Sequence, residues 1–113
     1  PAGHRCVLFV LGRYNVNFQS EPADLDPFLQ HDLDGLDWFT CAFGSQEQQC
    51  VMAAINAGGH ARIGFENNLY LPDGEIAAST AALVSSLVDS MQTQGLRAAS
   101  TGAARQLLGV RNA

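Results

Sequence analysis

In the segment Gly58–Asn68, GGHARIGFENN, the residues Ala61, Ile63 and Phe65 alternate with Arg62, Gly64 and Glu66. Successive strand side chains point to opposite faces, so this spacing predicts a strand over His60–Glu66. One of its faces is apolar; the other carries an arginine, a glycine and a glutamate in a row. The run Cys6–Leu11, CVLFVL, is short, uninterrupted and closed by Gly12, the pattern of a strand buried on both faces. Trp38–Phe43, WFTCAF, stopped by Gly44, predicts another strand.

Helical patterns fall between these runs. Asp26-Pro27 opens one, with Asp able to cap it and Pro suited to a first position whose amide has no partner. Leu25, Phe28, Leu29 and Leu33 approximate its apolar stripe, and Gly35 ends it. Ser45-Gln46-Glu47-Gln48 fits a capping box for a helix carrying Val51, Ala54 and Ile55 and running to Gly58. Leu71-Pro72-Asp73-Gly74-Glu75 reads as a turn between two short extended pieces. Ser79 caps a helix with the stripe Leu83, Val84, Leu87, Val88 and Met91, ended by Gly95; a last short helix covers Gly102–Leu108.

Strand–helix units repeated three times imply parallel strands with right-handed crossovers. Three such strands leave two open edges, and helices cover only one layer fully. The expected fold is therefore α/β, with residues 1–113 forming a single piece of a larger parallel sheet or barrel rather than a free-standing domain.

Composition narrows the function. At 113 residues the chain is one domain at most, and 47% hydrophobic with 15% charged residues excludes disorder. A net charge of -5 counts against nucleic acid, whose phosphates call for a basic patch. The acidic cluster Asp24, Asp26, Asp32, Asp34 and Asp37 reads as a solvated helix face. No apolar run reaches the roughly 18 residues that a membrane span needs, and the amino terminus does not resemble a signal peptide. A cytoplasmic protein without a membrane partner is expected. Cys6, Cys41 and Cys50 lack the close spacing of a zinc knuckle or redox pair and are expected to be buried free thiols.

The charged strand face calls for an explanation. An unpaired charge facing the interior costs several kcal/mol, so a pair, a metal or a ligand must compensate. Four residues at ~3.3 Å each would separate the Arg62 and Glu66 backbones by ~13 Å, long for one arginine lying along a strand. With Gly64 removing the intervening side chain, Arg62 is expected to lean toward the carboxyl end, leaving room for a ligand beside Glu66. That end is where active sites of parallel sheets and barrels form, and Glu66-Asn67-Asn68 occupies it. A structural ion pair is the competing reading, and spacing alone leaves both open.

The segments GGHARIGFENNLYLPDGEIA, STAALV and AARQLLG, from Gly58 to Val110, resemble the carboxyl-terminal part of the β-keto acid cleavage enzymes, the 3-keto-5-aminohexanoate cleavage family. FVLG and WFTCAFG sit where the sixth and seventh strands of that family's barrel should be, with weaker similarity. The resemblance implies the last three strand–helix units of a zinc-dependent TIM (β/α)8 barrel. It also implies a retro-Claisen-type cleavage in which a β-keto acid and acetyl-CoA, the co-substrate, give acetoacetate and a new acyl-CoA. By resemblance Glu66 is a zinc ligand, Arg62 supports substrate binding and proton transfer, and Asn67 stands where many members have an aspartate. Zinc in that family polarises the keto oxygen, and its other ligands come from a His-x-His on an early strand. The implied partners are a small β-keto acid and an acyl-CoA, within a homo-oligomer or with a complementing barrel fragment.

This sequence departs from the family pattern in three places. The amide of Asn67 cannot take a proton. Ser79-Thr80 stands where family members often carry Asn in the second place. His4, His31 and His60 are isolated, so no His-x-His exists, and each reads as structural. One carboxylate does not make a zinc site, which needs three protein ligands and an open position. The expectation is a barrel fragment inactive alone. The alternatives are one half of a split enzyme, or a non-catalytic interaction module in which Arg62 and Glu66 form a structural pair.

Overall fold

The structure, a computed structural model, describes residues 5–12 and 19–109. Three strands, β1 (Cys6–Leu11), β2 (Asp37–Ala42) and β3 (His60–Ala61), form one parallel sheet in the order β1-β2-β3. A 3-10 turn, Pro22–Leu25, leads into the short helix α1 (Asp26–Leu29), and α2 (Glu47–Asn56) crosses from β2 to β3. Helices α3 (Thr80–Thr93) and α4 (Thr101–Leu108) follow. The α/β order and the parallel pairing agree with the sequence pattern.

The register aligns Val7 with Trp38 and Leu11 with Ala42, so the alternate residues of both strands share one face. That face is the core: Leu11, Trp38 and Ala42 pack with Leu25, Cys50 and Ala54, flanked by Val7, Phe9, Phe28 and Leu33. Phe9 stacks on Phe28 with ring centroids 4.6 Å apart and leans on Trp38 at 5.7 Å. A second cluster joins Val51 and Met52 of α2 to Leu87 of α3, with Ala61 and Ile63 against it. Helices therefore cover one side of the sheet. Leu8, on the other side, is exposed. Among the described residues, the outer edges of β1 and β3 have no neighbouring strand.

Several predicted boundaries moved. The strand expected over His60–Glu66 ends at Ala61, although the Arg62 amide still donates to the Thr40 carbonyl at 2.9 Å. β2 ends at Ala42, so beyond Arg62 the ladder runs out, and the chain turns at Gly64 instead of extending. The helix expected to run from Asp26 to Gly35 stops at Leu29, and a local turn in which the Asp34 amide donates to Asp32 Oδ1 at 3.0 Å follows. Ser45 does not cap α2: Gln46 takes that position without a side-chain cap, and the Ser45 amide instead donates to Gln19 Oε1. Cys41 and Cys50 are buried, but Cys6 is exposed, because it sits on the uncovered side of β1.

Other elements match. Ser79 Oγ accepts from the Ala82 amide at 3.0 Å, and Ser100 Oγ accepts from the Ala103 amide at 3.1 Å, so α4 starts at Thr101, one residue before the expected Gly102. The Leu71–Glu75 turn closes with the Leu71 amide donating to the Glu75 carbonyl at 2.8 Å, and Tyr70 bridges Ile76 antiparallel. Among the described residues no helix is long and apolar enough to cross a membrane.

Candidate active site

The carboxyl ends of the three strands are tied together by hydrogen bonds that the loops supply. Ser20, buried, donates from Oγ to the Leu11 carbonyl at 2.6 Å and accepts from the Phe43 amide at 2.8 Å, fastening β1 to β2 at this end. The Gly44 amide donates to the Asn67 carbonyl at 3.0 Å, fastening β2 to the segment after β3. Gly44 has φ +89, a left-handed conformation that favours glycine, and a Cβ there would displace the end of the Gln19 side chain.

From Gly64 to Asn68 the chain makes a tight turn, with the amides of Asn67 and Asn68 both donating to the Gly64 carbonyl, at 3.1 and 3.2 Å. This turn presents Glu66 and Asn67 at the rim. It also brings Arg62 and Glu66 into direct contact: Arg62 Nη2 donates to Glu66 Oε1 at 2.9 Å. The extended geometry that would have kept them apart does not form, so the pair is made without a ligand between. Gly64 makes the contact possible, since a Cβ at that position would lie 2.6 Å from Glu66 Oε2.

Neither charge is buried. The side chains of Arg62 and Glu66 are 48% and 56% exposed, so the desolvation argument for a compensating ligand does not apply within the described chain. Hydrogen bonding from its own backbone, then the Arg62 guanidinium, holds the Glu66 carboxyl below its ordinary value. It is therefore an anion at neutral pH, the form a cation needs. Asn67 is 8% exposed, and its Oδ1 is buried with no hydrogen-bond partner among the described residues. A buried acceptor left unmade is uncommon and costly.

Beneath the turn lies a residue that sequence reasoning passed over. Glu47, in the first turn of α2, is 2% exposed. Its Oε2 accepts from the Gly64 amide at 3.4 Å and its Oε1 from Asn68 Nδ2 at 3.2 Å. Asn68 Nδ2 also donates to the Tyr70 carbonyl at 2.6 Å, and Asn68 Oδ1 accepts from the Tyr70 amide at 3.0 Å. Burial pushes the Glu47 carboxyl up to about 7, opposed by the bonds from Asn68 and Gly64 and assisted by the charge of Glu66. The signal was present in the sequence. Glu47 stands at the helical spacing of Cys50, Val51 and Ala54, all buried, so its side chain lies on the apolar stripe of α2.

The histidines fall elsewhere. His60 lies at the amino end of β3, its ring 4.9 Å from that of Phe39 and its Nε2 3.8 Å from Asp37 Oδ1. His31 is exposed beyond α1, and His4 lies outside the described residues. Among the described residues, no group of three His, Cys, Asp or Glu side chains could hold a metal ion. Glu66 fits one corner of a zinc site by exposure and charge; the described residues do not fit the site as a whole. An open, mainly apolar cleft of about 900 Å³ runs along the β3 edge past Leu8, Phe39 and Arg62 to Val84 and Met91 of α3. Neither Glu66 nor Asn67 lines it.

Comparison with known proteins is consistent with this arrangement. The sequence model described as beta-keto acid cleavage enzyme matches residues 1–110, and the chain belongs to that family. It is 33% identical over 103 residues to a 3-keto-5-aminohexanoate cleavage enzyme of Fusobacterium nucleatum, a match covering 91% of this chain and 37% of that protein. An enzyme of the same name from Acetoanaerobium sticklandii is 35% identical over 103 residues, covering 90% and 37%. A 3-oxoadipate:acetyl-CoA acetyltransferase of Cupriavidus necator is 31% identical over 110 residues, covering 92% and 37%. The chain thus spans 37% of the length of these curated relatives.

Proposed function

We propose that this chain is the carboxyl-terminal part of a β-keto acid cleavage enzyme. In this reading its rim residues act in the exchange of a β-keto acid and acetyl-CoA for acetoacetate and a new acyl-CoA. The observation that carries the reading is the convergence of Arg62, Glu66 and Asn67 on one turn at the carboxyl end of a parallel sheet. By the resemblance drawn from the sequence, the motif residues of that family fall on this turn. Arg62 offers two parallel N–H groups to a substrate carboxylate. Asn67, with a buried unpartnered Oδ1, orients a substrate group or water and takes no proton itself. Glu66 is the one zinc ligand among the described residues, and the remaining ligands come from outside them.

The partial-barrel reading rests on the parallel sheet whose two edges have no neighbouring strand among the described residues, on the apolar cleft along one of them, and on the 37% coverage of the relatives. By itself the chain is inactive and holds zinc weakly, because one carboxylate is not a site. The same open edges favour a second reading, a split enzyme completed by another polypeptide. The purely structural role for Arg62 and Glu66 is disfavoured by their exposure, since solvent-exposed ion pairs add little to stability.

The test is acetoacetate formation from β-keto acids and acetyl-CoA. The complete enzyme containing this chain should turn over, the isolated chain should not, and a polypeptide supplying the missing strands should restore activity. Tight zinc binding with turnover by the isolated chain would remove the fragment reading. A complete enzyme with no cleavage of any β-keto acid would remove the function.

A further inference from the structure

We propose that Glu47 is a positioning residue whose buried carboxylate clamps both ends of the Gly64–Asn68 turn and so sets the direction in which Glu66 and Asn67 face. The proposal rests on the reading of those two residues as working groups, and its geometry is independent of that reading. Oε2 holds the Gly64 amide and Oε1 holds the side-chain amide of Asn68, one partner at each end of the turn. The turn's own bonds, from the amides of Asn67 and Asn68 to the Gly64 carbonyl, close it but do not fix it against the sheet. The fixing is done by Glu47 from below and by the Gly44 amide, which holds the Asn67 carbonyl from the side.

The choice of residue is informative. A buried carboxylate on the apolar stripe of a helix is costly, and Ala or Leu would pack there without that cost. What only a carboxylate supplies is two acceptor oxygens for two donors that approach from different directions. An amide supplies one. In Glu47→Gln, whichever way the amide is turned, an NH2 group meets either the Gly64 amide or the Asn68 amide, so one arm of the clamp becomes a donor facing a donor. Asn68 cannot turn to relieve it, because its oxygen and nitrogen are both engaged by the Tyr70 main chain.

The clamp also accounts for the division of labour between the two asparagines. Asn68 is consumed by Glu47 and Tyr70, whereas Asn67, its neighbour, keeps its Oδ1 without a partner among the described residues. Loss of Glu47 leaves Asn68 held by Tyr70 but unties the turn from α2, and this lets the Asn67 side chain change direction. Such a change costs catalysis without requiring that the fold be lost.

The experiment compares Glu47→Gln and Glu47→Ala with wild type in the complete enzyme. It reads hydrogen exchange of the Gly64 amide by NMR, together with kcat and KM, at a temperature well below melting and at pH 8.5, where Glu47, whose carboxyl burial pushes up to about 7, is ionised. The expected result is Gly64 exchange at least tenfold faster in both variants. kcat should fall at least tenfold in Glu47→Gln and further in Glu47→Ala, with KM moving less than threefold. A role in stability alone would restore kcat in the cold, where the variants are folded; a positioning role leaves the loss in place. Unchanged Gly64 exchange in both variants overturns the clamp. Faster exchange with wild-type kcat overturns its catalytic consequence. If the wild-type enzyme itself shows no cleavage, the proposed function fails, while the exchange measurement still decides whether the clamp exists.

Discussion

Arg62 Nη2 lies 2.9 Å from Glu66 Oε1, a contact that an extended strand would forbid and that the turn at Gly64 creates. The pair is open to solvent on the uncovered side of the sheet, where it contributes little to stability and where both groups remain available to a ligand. Its position at the rim, rather than its strength, is what supports the proposed role.

The first prediction concerns Arg62. Lysine keeps the charge but presents a point donor where arginine presents a planar fork, so Arg62→Lys should lower kcat/KM for a β-keto acid by roughly tenfold or more while leaving the melting temperature nearly unchanged. Steady-state kinetics on the complete enzyme alongside a thermal melt would check both halves. A large drop in melting temperature would mean that the pair is structural.

Two glycines of the motif should behave differently. A Cβ on Gly59 would lie 2.5 Å from the ring of Trp38, which is buried in the core, so Gly59→Ala should cost about 1–3 kcal/mol by overpacking. A Cβ on Gly64 would first meet the far end of the Glu66 side chain, which can rotate away. Gly64→Ala should therefore change stability by less than about 1 kcal/mol and still lower activity, because the carboxylate must move. Urea titrations and turnover of the two variants give the comparison.

Much of this was legible in the sequence, and the failures have physical causes. β1, β2, the Ser79 cap and the Leu71–Glu75 turn follow from local patterns that need no distant partner. The alternation Ala61, Ile63, Phe65 was compatible with a longer β3, but a strand needs a neighbour. β2 stops at Ala42, and Phe65, expected on the buried face, is 38% exposed. The motif places Arg62, Glu66 and Asn67 close in sequence, but the distance between Arg62 and Glu66 depends on the turn at Gly64, which the alternation does not show. Glu47 was read only as part of a capping box. Its burial becomes visible when the helix is phased by Cys50, Val51 and Ala54.

The raised Glu47 carboxyl predicts a pH dependence with a definite sign. Its value moves from the ordinary 4.5 to about 7 on folding, so between those limits the folded chain binds more protons than the unfolded one. The contribution to stability is fully present below about 4.5 and is lost as pH rises through about 7, on the order of a few kcal/mol. Glu66 acts in the opposite sense and below its ordinary value; Cys41 and Cys50, both raised by burial, act only at alkaline pH. Urea midpoints at pH 5 and pH 8 should differ more in wild type than in Glu47→Gln. Equal pH dependence in the two proteins would contradict the assignment.

The most direct measurement is zinc content by mass spectrometry, taken together with turnover, for Glu66→Gln in the complete enzyme. Glutamine keeps the shape of the side chain and removes the charge that holds a cation. The account predicts that this variant loses both bound zinc and acetoacetate formation while its melt in the absence of metal stays close to wild type. Full zinc and full activity in Glu66→Gln would show that the carboxylate is not a ligand and that the charges on this turn are structural.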